Sequence, residues 1–207
     1  MEGRGGPDVI LGDLSGPGAD WAPDVLRGQG GNDYVAADRG PDVLYGGTGD
    51  DEITDSGSSA DRIYGYDGDD WITDTVVATD GQVLRGGTGS NRLDLRTSGS
   101  TSGVLDLAEG LTTVGWSPPV VVTTSDFTTV RLPDGDWTAY GTDADEFFWD
   151  TLLGPRTIYA GGGDDYLGGS NDDDYLHGGP GDDQALPEDG IDTCVSVEEV
   201  LWGECEK

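Results

Sequence analysis

The chain has 207 residues and sets 42 Asp and Glu against 10 Lys and Arg, a formal net charge of −32. That charge leaves no basic patch to neutralise phosphates, which excludes nucleic acid as a partner, and it repels anionic membrane surfaces. Hydrophobic residues make up 34% and never run to about 18 in a row, so no membrane-spanning helix is expected.

Low hydrophobicity with high net charge is the composition of a disordered chain. Order imposed by a cation is the competing reading, because carboxylates that repel one another become ligands once a divalent ion arrives. Periodic placement of the acids separates the two. Met1-Glu2-Gly3 leads straight into repeat-like sequence with no signal peptide in view, so a trimmed signal or a fragment is expected. Gly46-Gly47-Thr48-Gly49-Asp50-Asp51-Glu52-Ile53-Thr54 reads G-G-x-G-x-D-x-U-x, with U a large apolar residue. Looser copies begin at Gly3, Ala19, Gly28, Ala37, Ser56, Gly65, Val77 and Gly86. With the template included, the eighth positions read Ile10, Leu26, Val35, Leu44, Ile53, Ile63, Ile72, Leu84 and Leu93. None is polar in a chain where apolar residues are the minority, so the register is real. The sixth positions read Asp8, Asp24, Asp33, Asp42, Asp51, Asp61 and Asp70, then Gln82 and Asn91.

Residues 95–139 lose the glycine pattern; Val104–Gly110, Pro119–Thr124 and Phe127–Leu132 read as strands. Copies resume at Tyr140, Thr151, Ala160, Gly169, Gly178 and Pro187, with Gly178 matching the first six positions fully. Here the eighth positions read Phe147, Ile158, Leu167, Leu176, Ala185 and Cys194, and the sixth read Asp145, Arg156, Asp165, Asp174, Asp183 and Asp192. Near the end lie Cys194 and Cys205, the two cysteines. In an exported protein they would pair as a disulfide, while the register also points Cys194 inward as a small buried hydrophobe.

The repeated glycines, aspartate and apolar residue resemble the RTX, or haemolysin-type calcium-binding, repeat family. The resemblance covers roughly residues 3–94 and 140–195. It implies an all-β, right-handed parallel β-roll or β-solenoid with two calcium-binding repeat blocks. The expected organisation is an N-terminal block (1–94), a degenerate solenoid section (95–139), a C-terminal block (140–195) and a cap (196–207). In this family six residues form a turn, three form a strand, and two repeats make one coil. Glycines permit tight turns, freed carbonyls supply hard oxygens, and the aspartate adds charge. Ca²⁺ takes about 6–8 oxygens, and strands stacked about 4.8 Å apart bring successive turns within reach of one ion.

The spacing gives four ladders. One edge of the first block carries Asp24, Asp42 and Asp61, the other Asp33, Asp51 and Asp70. The amides Gln82 and Asn91 suggest that binding fades there. In the second block Asp145, Asp165 and Asp183 face Arg156, Asp174 and Asp192, with the Arg156 guanidinium expected to replace an ion and cap its ladder. Acids and amides at position five (Asn32, Asp50, Asp69, Asp164, Asp173, Asp182) rank second as ligands. The bland alternative is that Asp and Gly only make tight surface turns. It accounts for one repeat but not for phase held over two blocks. By the same resemblance residues 95–139 are expected to continue the coil without calcium; a binding surface around Trp116 and Trp137 is the alternative. Val195–Trp202 is expected to lie over the last coil as a cap.

His177 is the one histidine, which excludes a multi-histidine metal site. Gly161-Gly162-Gly163 lacks the Lys-Ser/Thr of a phosphate loop. Tyr45, Tyr64 and Arg85 are expected on one face and Thr54, Trp71 and Thr73 on the other, a conceivable sugar strip or threonine ladder. No catalytic constellation stands out. The expected function is a secreted, non-enzymatic, calcium-dependent folding module. Alternatives are an adhesin or glycan- or ice-binding surface on the same scaffold, and a repeat domain cut from a larger secreted enzyme. By the habit of the family it resembles, a general secretory route with a cleaved signal, or a fragment, is expected, since little sequence follows the repeats and it contains Cys205.

Overall fold

The computed structural model describes residues 1–12, 21–57, 59–76, 81–97, 101–115, 120–149 and 153–206. Strands alternate between two sheets, one of ten strands and one of twelve, and no helix occurs among the described residues. In the larger sheet Val25–Gly30 pairs in parallel with Val43–Thr48, which pairs with Arg62–Asp67 and then Val83–Thr88. Tyr34–Ala37, Glu52–Asp55, Trp71–Val76 and Arg92–Thr97 run likewise in the smaller sheet. The chain therefore crosses sheets once per repeat and returns to the same sheet every second repeat. This is a parallel β-solenoid. Among the described residues no helix is long and apolar enough to cross a membrane.

The period of the apolar residue builds the core. Leu26, Leu44, Ile63 and Leu84 stack rung on rung in one sheet, and Val35, Ile53, Ile72 and Leu93 in the other, all fully buried. Each such side chain contributes roughly 1.5–3 kcal/mol on burial. The core is only two side chains thick, so the turns must be held by other means.

Residues 95–139 depart from simple coiling. Thr101–Asp106, Leu111–Val114 and Val120–Ser125 form an antiparallel meander. Its outer strands join the parallel sheet on either side, through Val83–Thr88 and Gly135–Tyr140. The smaller sheet passes directly from Arg92–Thr97 to Thr129–Arg131. The expected strands are present with shifted ends, but the larger sheet gains strands that longer turns alone would not give. Trp137 is fully buried, its ring against Gly103, where a Cβ would lie 2.5 Å from ring carbons. It therefore forms no part of a binding surface; Trp116 and Pro119 lie outside the described residues.

One expectation at the C-terminal side is corrected. The copy read from Tyr140 is out by one: Phe148 is buried and pairs with Leu167, while Phe147 is exposed. The segment after Val195 stacks on the last coil. Glu199–Val200 and Cys205–Glu206 each add a parallel strand to one sheet, as a further rung, leaving Trp202 78% exposed. Cys194 and Cys205 form a disulfide with Cα atoms 5.4 Å apart, tying that rung to the one before it.

Candidate metal centre

The position-six side chains fold inward under the turns. One carboxylate oxygen of each accepts the backbone N–H of the position-six residue one coil earlier. Asp33 N–H donates to Asp51 (2.8 Å), Asp51 N–H to Asp70 (2.9 Å), Asp24 N–H to Asp42 (2.7 Å) and Asp42 N–H to Asp61 (2.8 Å). The second block repeats the pattern from Asp165 to Asp183 (3.0 Å) and from Asp174 to Asp192 (2.9 Å). Hydrogen bonds to charged groups contribute about 1.5–3 kcal/mol each, so these ladders fix one coil against the next.

The other oxygen sets the chemistry. Oδ2 of Asp33, Asp51, Asp61, Asp70, Asp165, Asp183 and Asp192 is buried with no hydrogen-bond partner among the described residues. These side chains are no more than 3% exposed. A carboxylate oxygen left so is costly unless something else satisfies it. The surroundings show what fits. A Cβ on Gly46 would meet both Asp51 Oδ2 and the Gly65 carbonyl oxygen, and one on Gly169 would meet Asp174 Oδ2 at 2.5 Å and the Pro187 carbonyl oxygen at 2.7 Å. Carboxylate and carbonyl oxygens from successive coils thus converge beside a glycine that must have no side chain. Gly49, at φ +117°, bends the same turn. Hard, oxygen-only donors with net negative charge suit Ca²⁺.

Burial raises the carboxyl pKa values. Desolvation, joined by neighbouring carboxylates and opposed by the backbone N–H bonds, pushes Asp51, Asp70 and Asp174 up to about 6 and Asp61 and Asp165 to about 7. Desolvation also raises Asp192 and Glu146.

Where aspartate is replaced, an N–H donor faces oxygens. Gln82 Nε2 donates to Asp74 (2.5 Å) and to the Thr75 carbonyl (3.2 Å). Asn91 Nδ2 donates to the carbonyls of Gly87 (3.3 Å) and Asp126 (3.0 Å). The Arg156 guanidinium, 1% exposed, donates to the carbonyls of Gly135, Pro133 and Leu153. These groups carry donors to oxygens that a cation would otherwise gather.

Asp145 is not at position six. Glu146 is, 3% exposed, and its N–H donates to Asp165 Oδ1. Asp145 is exposed and joins the position-five series, accepting from Asp164 N–H. Starting that copy at Gly141 rather than Tyr140 would have revealed the glutamate. Asn32, Asp50, Asp69, Asp164, Asp173 and Asp182 are all exposed. Asp50, Asp69, Asp164 and Asp173 accept backbone N–H bonds from the following coil. Asn32 does so from Asp50 at 3.2 Å. Sequence reasoning also passed over Glu198, which accepts Asp183 N–H (2.8 Å) beyond the last repeat, and the buried Asp55 and Asp74. Elsewhere Tyr45 and Tyr64 stack with centroids 5.4 Å apart, with Arg85 the next cross-strand neighbour of Tyr64. Thr54 pairs with Thr73, but Thr73 is buried, so no exposed threonine ladder exists there. His177 packs near Tyr159.

Fold and site together define a β-roll whose turns are built to gather cations along ladders of buried aspartates. Residues 27–54, 55–73 and 157–193 match the family model of the RTX calcium-binding nonapeptide repeat (4 copies). The chain carries RTX calcium-binding repeats, and both blocks read from the sequence contain matched segments. No curated protein matches the chain.

Proposed function

We propose that this calcium-binding repeat module is secreted, has no enzymatic activity, and folds when calcium fills its ladders. The observation that carries this reading is the set of buried Oδ2 atoms without partners among the described residues, those of Asp33, Asp51, Asp70 and Asp183 each beside a glycine and a carbonyl of the next coil. Asp24, Asp33, Asp42, Asp51, Asp61 and Asp70 would hold calcium in the first block, and Asp165, Asp174, Asp183 and Asp192 in the second, with turn carbonyls completing the shells. Bound calcium would neutralise charge and cross-link successive turns. Backbone bonds of the position-six carboxylates already set those turns in register. Calcium-poor surroundings would leave a chain of charge −32 extended, and calcium-rich extracellular fluid would fold it.

Far-UV circular dichroism tests this. Calcium should convert a disordered spectrum to β signal and chelator should reverse it; a spectrum indifferent to both would overturn the reading. A glycan-binding role has weaker support, because Tyr45, Tyr64 and Tyr66 pack against one another rather than opening a flat platform.

A further inference from the structure

The two edges of the first block differ at position one. On one edge it is glycine throughout: Gly28, Gly46, Gly65 and Gly86. On the other, strand pairing aligns Ala37 with Asp55, and the next coil places Asp74 one residue after Thr73, the partner of Thr54. A carboxylate thus stands where the opposite edge keeps an empty cradle. Asp55 is 1% exposed and Asp61 is fully buried. Asp55 Oδ1 accepts the Gly57 N–H (2.6 Å) and Asp61 Oδ1 the Asp42 N–H (2.8 Å). Oδ2 of both is buried with no partner among the described residues. Asp42, Asp55 and Asp61 can each bring one oxygen within 4.8 Å of the others. Ca–O bonds run to about 2.3–2.6 Å, so two oxygens on one ion lie at most about 5 Å apart.

We propose that Asp42, Asp55 and Asp61 form a calcium site of a different kind from the glycine-lined ladders, with Asp55 supplying a third carboxylate in place of a turn carbonyl. The site rests on the calcium reading above and deepens it. Its ligand charge of three carboxylates favours a hard divalent cation, and the flexible, oxygen-only donors favour Ca²⁺ over Mg²⁺, which demands a tight octahedron. It ends at the following coil. There Asp74 is satisfied without a metal, by Thr75 N–H (2.7 Å) and by Gln82 Nε2 (2.5 Å).

Calorimetric titration with Ca²⁺, paired with native mass spectrometry, tests the site on the whole chain. Asp55→Asn keeps an oxygen for the Gly57 N–H and removes the charge. It should lose one ion from the wild-type count, or weaken one at least tenfold, while Asp74→Asn leaves the count unchanged. If wild type binds calcium and Asp55→Asn binds the same number with the same affinities, the site is refuted while the ladders stand. If wild type binds none, the calcium reading itself fails. Should Asp55→Asn not fold, wild-type crystals grown with Tb³⁺ decide. An anomalous peak in contact with the Asp55 carboxylate supports the site, and peaks on the Asp51–Asp70 ladder alone overturn it.

Discussion

Arg156 and Asn91 show how a rung can be closed without an ion. Both occupy position six, and both point N–H donors at backbone carbonyls, three for Arg156 and two for Asn91. The Arg156 backbone N–H still donates to Asp174 Oδ1 (2.6 Å), so the ladder's hydrogen-bonded frame is intact there. Arg156→Asp should therefore rebuild a cation site, and calorimetric titration should count one more calcium than wild type. A folded variant with an unchanged count would show that those carbonyls cannot converge on an ion. The reverse change is Asp51→Asn. Its amide keeps an oxygen for Asp33 N–H and turns a donor toward the Gly46 cradle, as Asn91 does toward Gly87. Losing the charged ligand should cost about 1.5–3 kcal/mol of calcium-linked stability, a shift of roughly 10- to 100-fold in the calcium needed for half-folding. A midpoint unchanged within error would remove Asp51 from the ligand set.

Strands and turns divide the stabilising work differently along the chain. In the repeat blocks the thin core leaves coil stacking to the carboxylate ladders, whereas the meander packs Trp137 against Gly103. Gly103→Ala should push into the indole and lower stability by about 1–3 kcal/mol, read as a lower melting temperature in saturating calcium. At the other end, the Cys194–Cys205 disulfide closes an 11-residue separation. Reduction, or Cys205→Ser, should remove about 2–3 kcal/mol by freeing the last rung; hydrogen exchange should rise at Asp192–Val195 first, and uniform exchange would argue against a local staple. Much of this architecture was legible in the sequence because one apolar residue and one aspartate recur in phase, and burial of Leu44 or Asp51 needs nothing beyond that phase. The meander was not, since local pattern names strands but not whether their partners run parallel or antiparallel. The one-residue slip at Glu146 escaped because an aspartate stood beside it and drew the alignment. Asp55 and Asp74 escaped for a related reason: they sit at a glycine position beside insertions, where the template offers no carboxylate to look for.

At the scale of the molecule, the carboxyl oxygens proposed to hold calcium are also the ones that protons would claim. Folding without calcium moves Asp51, Asp70 and Asp174 from the ordinary carboxylate range to about 6, Asp61 and Asp165 to about 7 and Asp55 to about 8, with desolvation the leading cause in each. Asp74 moves well above its ordinary value for the same reason. A carboxyl whose folded pKa is raised binds its proton more tightly in the fold than in the extended chain. Its contribution to stability is fully present below the unfolded value near 4, and it is lost as pH rises through 6 to 8. On the proposed reading, calcium would remove this penalty at neutral pH by satisfying the ionised form. In chelator, then, β signal should be absent at pH 7.5 and grow as the pH is lowered toward 5, where protonation replaces the ion and also reduces the self-repulsion of a −32 chain. In saturating calcium the signal should stay flat across pH 6 to 8, since the ladders are then ionised and filled. The experiment is a pair of circular dichroism pH titrations, one in each condition. A chelated sample whose β signal falls on acidification would mean that the buried carboxyls are not the groups holding the ion-free chain open.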